Sequence, residues 1–255
     1  MTDTATGLSR RRLLGMAAAG TGGLLLGGCD RLNGSQAFRG VLQGAESLTM
    51  RSQRLLMGDA LAREYTAADI SPAFKANGSL GVTDPAYRAH LAQGFVGWAL
   101  KVDGLVRQPL LLPLSALKAL PQRTQITRHD CVEGWSAIGK WQGPQLSRVL
   151  ALAGLLAPAR YVVFHCADRF GSAPYYESID MIDALHPQTI LAWRMNGQPL
   201  PEAHGAPLRL RVERQLGYKH AKYVMRIEVR ATLAGLYGGQ GGYWEDRGYQ
   251  WYAGI

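Results

Sequence analysis

The group with the most chemical potential in this chain is the thiol of Cys131, and its neighbours are the reason. The stretch runs Arg128-His129-Asp130-Cys131-Val132-Glu133-Gly134-Trp135-Ser136, then Trp141-Gln142-Gly143. A structural cysteine usually lies in an apolar run; this one lies among charges, rings and a small-residue turn. Such neighbours favour the thiolate, the form that attacks as a nucleophile and ligates soft metals. Two chemistries follow. The sulfur holds a redox metal, or it acts as a metal-free nucleophile with His129 or His165 as its base. A disulfide between Cys131 and Cys166 is the inert alternative. The chain has 3 cysteines and 6 scattered histidines, with no Cys-x-x-Cys and no zinc-ligand spacing. His165 beside Asp168 is a candidate proton relay, with an ordinary strand histidine as the other reading. His129, as a strand neighbour of Cys131, is expected to point away from it.

These groups need elements to hold them. Thr124 to Arg128 predicts a strand leading into Cys131. Trp98 to Val102 and Leu105-Val106 around Asp103-Gly104 predict a hairpin, as do Thr189 to Met195 and Pro199-Leu200 around Asn196-Gly197. Ser115 to Leu120 predicts a short helix stopped by Pro121. Leu146 to Leu156 has apolar residues at helical spacing. Ala159 to Cys166 predicts a strand with Val162, Phe164 and Cys166 on one face and Val163 and His165 on the other. Leu208 to Glu213 and Lys222 to Val229 also alternate as strands. Asp69 to Gly78 is loop-like, with Pro72 and Asn77-Gly78 as punctuation. Hairpins with a few short helices imply an α+β fold with mixed or antiparallel sheets. Residues 238–252 combine glycines with aromatics. They are expected to form a strap packed on the domain, or else a wall of the site or a docking face for an electron-transfer partner.

The start of the chain is an address. Ser9-Arg10-Arg11-Arg12-Leu13-Leu14 is a twin-arginine pattern. The uncharged segment Leu13 to Gly28 is shorter than the roughly 20 strongly apolar residues a bilayer crossing needs, so it reads as an export-signal core. Leu26-Gly27-Gly28-Cys29 resembles a lipoprotein processing box, which would put a lipid on Cys29; cleavage by an ordinary signal peptidase is the alternative. Residues 1–28 are then the signal. Residues 29–57, rich in Gly, Ser and Gln, are expected to be a tether without periodicity. Residues 58–255 are expected to form one domain.

Of the 255 residues, 47% are hydrophobic and 18% charged, enough apolar material for a full core. The net charge is +9, of which the signal carries +2 through Arg10, Arg11 and Arg12 against Asp3. The remaining excess favours an anionic ligand, an acidic partner or an anionic membrane surface. No basic run or nucleic-acid motif follows the signal, so nucleic acid is set aside.

Taken in order, the motifs resemble a known family. Cys131-Val132-Glu133-Gly134-Trp135-Ser136 resembles the molybdenum-ligand loop of the sulfite oxidase family, and Tyr175-Tyr176-Glu177-Ser178-Ile179 its Tyr-x-x-Ser-Ile segment. His186-Pro187-Gln188-Thr189, Asn196-Gly197, His204-Gly205-Ala206-Pro207-Leu208-Arg209, Leu216-Gly217-Tyr218-Lys219 and Lys222 continue the series. The resemblance covers about Phe74 to Val229 and is nearest to the bacterial, twin-arginine-exported branch, which includes the periplasmic methionine sulfoxide reductase catalytic subunit. It implies a single-domain, molybdopterin-dependent oxidoreductase catalysing two-electron oxygen-atom transfer on a small sulfite-like or sulfoxide-like substrate. The cofactor is molybdenum-molybdopterin. Cys131 is the metal ligand, and Tyr175 faces the substrate side. Asn77 and Gly78 form a loop over the pterin, and Cys166 lines it. His204, Arg209, His220, Ala221 and Lys222 hold the phosphate end. This chain has His204 and Cys166 where that branch typically has Asn and Thr. A cytochrome or quinone-linked redox partner, soluble or in the membrane, and a periplasmic location anchored through Cys29 complete the expectation. The competing readings are the metal-free thiol enzyme and a non-enzymatic exported lipoprotein.

Overall fold

The computed structural model describes residues 35–255, so the expected signal and Cys29 lie outside the described residues. The chain divides into two units, up to Leu56 and from Met57 onward.

The described residues of the first unit form one helix, α1 (Gln36–Met57). This corrects the expectation of an aperiodic tether. Phe38, Val41, Leu42, Ala45, Leu48, Leu55 and Leu56 recur at three- and four-residue spacing, a helical stripe that the Gly, Ser and Gln between them obscure. No proline interrupts it, and Gly58 follows its end at φ 46°. Among the described residues, no helix is long and apolar enough to cross a membrane.

The second unit begins with loop and α2 (Pro85–Ala92). Asp84 caps this helix by accepting from Tyr87 N at 2.9 Å, and Pro85 sits at its first position. There follow β1 (Ala99–Gly104), β2 (Leu110–Pro113), α3 (Leu114–Ala119), β3 (Gln122–Asp130), β4 (Ser136–Pro144), α4 (Leu146–Ala153), β5 (Tyr161–Phe170) and β6 (Ala173–Asp180). Then come α5 (Met181–Leu185), β7 (Ile190–Ala192), β8 (Arg194–Met195), β9 (Gln198–Pro199), β10 (Arg209–Arg211) and β11 (Val224–Arg230). A five-stranded sheet has the order β2-β1-β11-β5-β6, a four-stranded sheet β3-β4-β8-β9, and β10 pairs β7. Only β1 with β11 is parallel among the described pairs. This is the α+β fold with mixed sheets that the sequence predicts.

The Asn196-Gly197 turn forms as expected, both residues at positive φ, between β8 and β9. The Asp103-Gly104 turn does not. Asp103 and Gly104 stay in β1 and pair with Glu228 and Val229, and the chain returns only at β2. Gly104 is required for closeness instead: a Cβ there would collide with the Val229 backbone.

The main core lies under the five-stranded sheet. Leu100 and Val102 from β1, Val162 and Phe164 from β5, and Ile227 from β11 meet Leu146, Val149 and Leu150 of α4 there. Val163 points the other way, into a cluster with Tyr175, Tyr176 and Tyr243, as the alternation predicts. The C-terminal aromatics are therefore a packed strap. Tyr176 OH donates to Asp246 Oδ2 at 2.6 Å, and Trp251 Nε1 donates to Ser178 Oγ at 2.9 Å.

Candidate functional site

β3 ends at Asp130 and delivers Cys131 into a tight loop. Cys131 N donates to Trp135 O at 2.9 Å and Gly134 N to Cys131 O at 3.0 Å, with Gly134 at φ 83°. Cys131 is only 7% exposed. Its polar neighbours do not aim at the sulfur; they pair with one another. Glu133 meets Lys75 at 3.2 Å and Trp135 Nε1 at 3.0 Å, and Arg128 meets Asp130 at 2.9 Å. Among the described residues, the one side chain hydrogen-bonded to the thiol sulfur is Asn77, whose Nδ2 lies 3.5 Å away. Cys131 and Cys166 are both free, so the disulfide alternative falls.

Cys131 opens into a cleft of about 150 Å³. One wall is the loop Asn77-Gly78-Ser79; Val132 and Glu133 form the rim. Asp168 and Phe170 come from β5, Tyr175 from β6 and Arg209 from β10. Gly217, Tyr218, His220 and Lys222 come from the segment before β11, and Trp244 and Tyr249 from the strap.

Several polar atoms around this cleft are buried without a partner. Arg209 is 2% exposed; its Nη1 donates to His204 O at 3.1 Å and its guanidinium stacks 4.9 Å from the Trp141 ring, but its Nε is unused. Burial, then Arg211, pulls its pKa down to about 9, so a bound anion would relieve a desolvated cation. His220 donates Nε2–H to Gln215 O at 3.0 Å, which leaves Nδ1 a bare acceptor; burial, then Arg211, holds the imidazole well below its usual pKa. Asp168 accepts from Ser79 Oγ at 2.8 Å through one oxygen, while the other is unpartnered. Each such buried group is costly unless a ligand satisfies it.

Lys222 differs from its expected role. All three of its N–H groups go to carbonyls, those of Asn77 (2.7 Å), Ala203 (3.0 Å) and Ser79. It pins the loop that carries Asn77, with its charge behind the wall. Tyr175 likewise has its hydroxyl proton committed, donating to Tyr218 O at 2.9 Å.

The remaining expected residues separate. His204 and Ala221 do not line the cleft. His204 acts through its carbonyl on Arg209, and its ring packs edge-on against Phe74 at 5.7 Å. Ala221 is fully buried and its carbonyl accepts from Leu210 N at 2.8 Å. Cys166 is half-buried at the junction of two apolar clusters, its thiol pushed well above its ordinary pKa by burial. The His165–Asp168 relay does not form: His165 Nε2 meets Glu228 at 2.9 Å and Nδ1 meets Tyr237 OH at 3.3 Å. His129 turns from the cleft toward Arg211, whose Nη1 lies 3.0 Å from its Nδ1. The strap, expected mainly as packing, also supplies Trp244 and Tyr249 as wall.

Sequence reasoning missed Ser79, Asp168, Phe170 and Tyr218 as lining residues. Simple alternation could not place two of them: the β5–β6 pairing shifts register between His165 and Arg169, just where Asp168 and Phe170 follow. Asp168 also carries a prediction. Its pKa is raised from 3.8 to about 6, chiefly by burial. A raised acid contributes stability that is full below its unfolded pKa and lost as pH rises through the folded one. Asp168→Asn in the ligand-free protein is therefore expected to be more stable than the parent above pH 6, by up to about 3 kcal/mol. The gain should vanish near pH 4, as read from melting temperature against pH.

The unpartnered set suits a polar, anionic cofactor. Arg209 Nε would donate to an anion, His220 Nδ1 and Asp168 Oδ1 would accept from ring N–H groups, and Cys131 would supply one soft ligand. Among the described residues no three His, Cys, Asp or Glu side chains converge on a metal position, so a metal at Cys131 would take its other ligands from the bound group.

Comparison with known proteins agrees. The oxidoreductase molybdopterin binding domain matches residues 90–235. A protein named as the protein-methionine-sulfoxide reductase subunit YedZ1 of Azospira oryzae is 48% identical over 155 residues, 61% of this chain and 55% of that protein. The protein-methionine-sulfoxide reductase catalytic subunit MsrP of Xanthomonas campestris pv. campestris is 32% identical over 240 residues, 89% of this chain and 71% of that protein. The chain thus spans 55% of one relative's length and 71% of the other's. The sulfane dehydrogenase SoxCD from Paracoccus pantotrophus shares the fold, with a TM-score of 0.50 at 24% identity over 54% of this chain and 39% of that chain. With Cys131 lining its cleft, this chain belongs to the oxidoreductase molybdopterin-binding domain family.

Proposed function

We propose that this chain is the catalytic part of a molybdenum oxidoreductase that moves one oxygen atom to or from a small sulfur-containing substrate, in the reductive direction a sulfoxide. The observation that carries the reading is a single buried, free thiol opening on a cleft that an unsatisfied arginine and histidine also line. When bound, the molybdenum cofactor supplies the two-electron chemistry; the protein supplies ligation, orientation and charge. Cys131 would be the protein ligand to the metal, steadied by Asn77 Nδ2. Arg209 and His220 would hold the anionic end, and Asp168 would accept from the pterin. Tyr175, Trp244 and Tyr249 wall the approach of substrate and exclude water. Reduction of a sulfoxide consumes two electrons and two protons and yields sulfide and water, so an external electron donor is required. A cytochrome or quinone-linked protein fits that part. The names of the two relatives, a reductase subunit and a reductase catalytic subunit, support both the sulfoxide and the separate electron-carrying partner.

The twin-arginine pattern supports work outside the cytoplasm, in the periplasm, and Cys29 supports a lipid anchor there. The test is elemental analysis with electronic spectra of protein made in a host that synthesises the pterin. Stoichiometric molybdenum is expected in the parent. Cys131→Ser is expected to keep the fold, change the metal spectrum and lower turnover of an aryl or methionine sulfoxide by at least about a thousandfold, an effect of about 4 kcal/mol on the barrier. Folded parent protein without metal and pterin would overturn the reading. Full turnover by metal-free protein would point instead to the thiol as nucleophile.

A further inference from the structure

The first unit is unexplained by catalysis. α1 runs 22 residues and is amphipathic along its whole length. Val41, Leu42, Leu48, Leu55 and Leu56 are 66%, 45%, 66%, 84% and 82% exposed. At 100° per residue these five, with Phe38 and Ala45, fall in one sector of the helix. Thr49 and Ser52 interrupt that sector, the opposite side carries most of the other polar residues, and the helix sequence holds three Arg against one Glu. A 22-residue helix with leucines this open is not stable by propensity alone in water; its apolar stripe needs cover.

We infer that α1 is an interfacial membrane helix, lying in the plane of an anionic phospholipid surface with the Val41–Leu48–Leu55 stripe sunk among the acyl chains. Three observations select a lipid surface over a protein groove. Apart from Phe38 near its start the stripe is aliphatic, without the Trp and Tyr anchors that dominate protein hot spots. The polar side is net positive, complementing anionic headgroups. And α1 begins only seven residues after Cys29, a span of at most about 25 Å when extended. A lipid on Cys29, which belongs to the export reading above, would hold the helix within reach of the bilayer. If Cys29 is cleaved without lipidation, α1 becomes the main attachment. Either way the helix ends at Met57, and the catalytic unit follows without a long spacer. The segment expected to let the domain roam is thus a device that keeps it at the surface, where a membrane-resident electron carrier is met.

The test uses the full exported chain with its cofactor, both as made and with Cys29→Ser to remove any lipid. Each is floated with vesicles of phosphatidylcholine alone and of phosphatidylcholine with 30% phosphatidylglycerol. Cys29→Ser protein is expected to float with the anionic vesicles, at least about tenfold more than with neutral ones, and to be released as salt is raised. Leu48→Glu with Leu55→Glu on that background should abolish flotation while leaving turnover with a soluble electron donor unchanged. Flotation unaffected by the leucine changes would overturn the inference. So would absence of flotation in Cys29→Ser protein, or self-association through the stripe detected by light scattering. Mass spectrometry of the N-terminal peptide of the unmutated chain reads lipidation separately, so a missing lipid is not mistaken for a failed helix.

Discussion

Lys219→Met is expected to be the most destabilising single change in this protein, by roughly 3–5 kcal/mol, the cost of breaking a buried ion pair from one side. Lys219 Nζ donates to Glu177 Oε1 at 2.5 Å and to Glu245 Oε1 at 2.5 Å, and all three side chains are fully excluded from solvent. One cation faces two carboxylates, so full ionisation would leave a net negative charge in the interior. Burial and then the Glu245 charge push the Glu177 pKa well above its ordinary value, and the second oxygens of Glu177 and Glu245 have no other partner. The physical solution is one proton kept within the carboxylate pair. Glu177→Gln imitates that protonated state: its amide oxygen can still accept from Lys219 and from Ser178 N, which now donates at 2.8 Å. It should cost under about 1 kcal/mol near neutrality, in contrast to the lysine change.

The pH signature follows. A raised Glu177 contributes stability that is full below pH 4.5 and lost as pH rises through its folded pKa. Lys219, raised by the two glutamates against burial, contributes stability present below 10.5 and lost above its own folded pKa. The parent should therefore weaken on the alkaline side, and Glu177→Gln should flatten the earlier part of that fall. Urea midpoints from pH 5 to 10 decide it. Because Glu245 belongs to the strap and Glu177 to β6, the same triad ties the aromatic wall of the cleft to the sheet. Melting of Lys219→Met should free Tyr243 and Trp244 together, visible as a shift in tryptophan emission.

How far this site was legible in the sequence depends on whether a residue's role comes from local pattern or from a distant partner. Cys131 and its loop were legible because the turn is local: Gly134 at positive φ and the Cys131–Trp135 backbone bonds need only the five residues themselves. The strand faces of β5 and the Asn196-Gly197 turn were legible for the same reason. Asp103-Gly104 was misread because the pattern of a turn and the pattern of a close strand approach are the same two letters. Only the arrival of Val229 from 125 residues away tells them apart. The roles of Lys222 and Tyr175 were misassigned in a related way. A lysine near an anion site looks like a ligand to that anion until its three carbonyl partners are seen. The Lys219–Glu177–Glu245 triad was invisible, since nothing local marks a charge as fully buried. The tether was misread from composition, although the three- and four-residue spacing of α1 was present in the letters.

Lys222→Met separates holding the loop from holding the cofactor. The ammonium donates to the carbonyls of Asn77, Ser79 and Ala203, and only the charged form has three N–H groups to give. Burial, then Arg209, pulls its pKa down to about 7, so the carbonyls and the desolvation oppose each other. The carbonyls favour the ammonium, because a neutral amine would leave one of them short of a donor. Methionine fills the same channel beside Gly205 but satisfies none of the three, and stranding them should cost at least about 3 kcal/mol. The functional consequence lies at Asn77, whose backbone carbonyl is pinned by Lys222 and whose side chain lies 3.5 Å from the Cys131 sulfur. Once the loop is released, Cys131 in cofactor-free protein should be alkylated by iodoacetamide at least about tenfold faster than in the parent. Molybdenum content should fall with it. A lower melting temperature with unchanged alkylation would make Lys222 a stabiliser of the fold alone. Faster alkylation together with metal loss would show that the wall over the sulfur is held in place from behind by one buried charge.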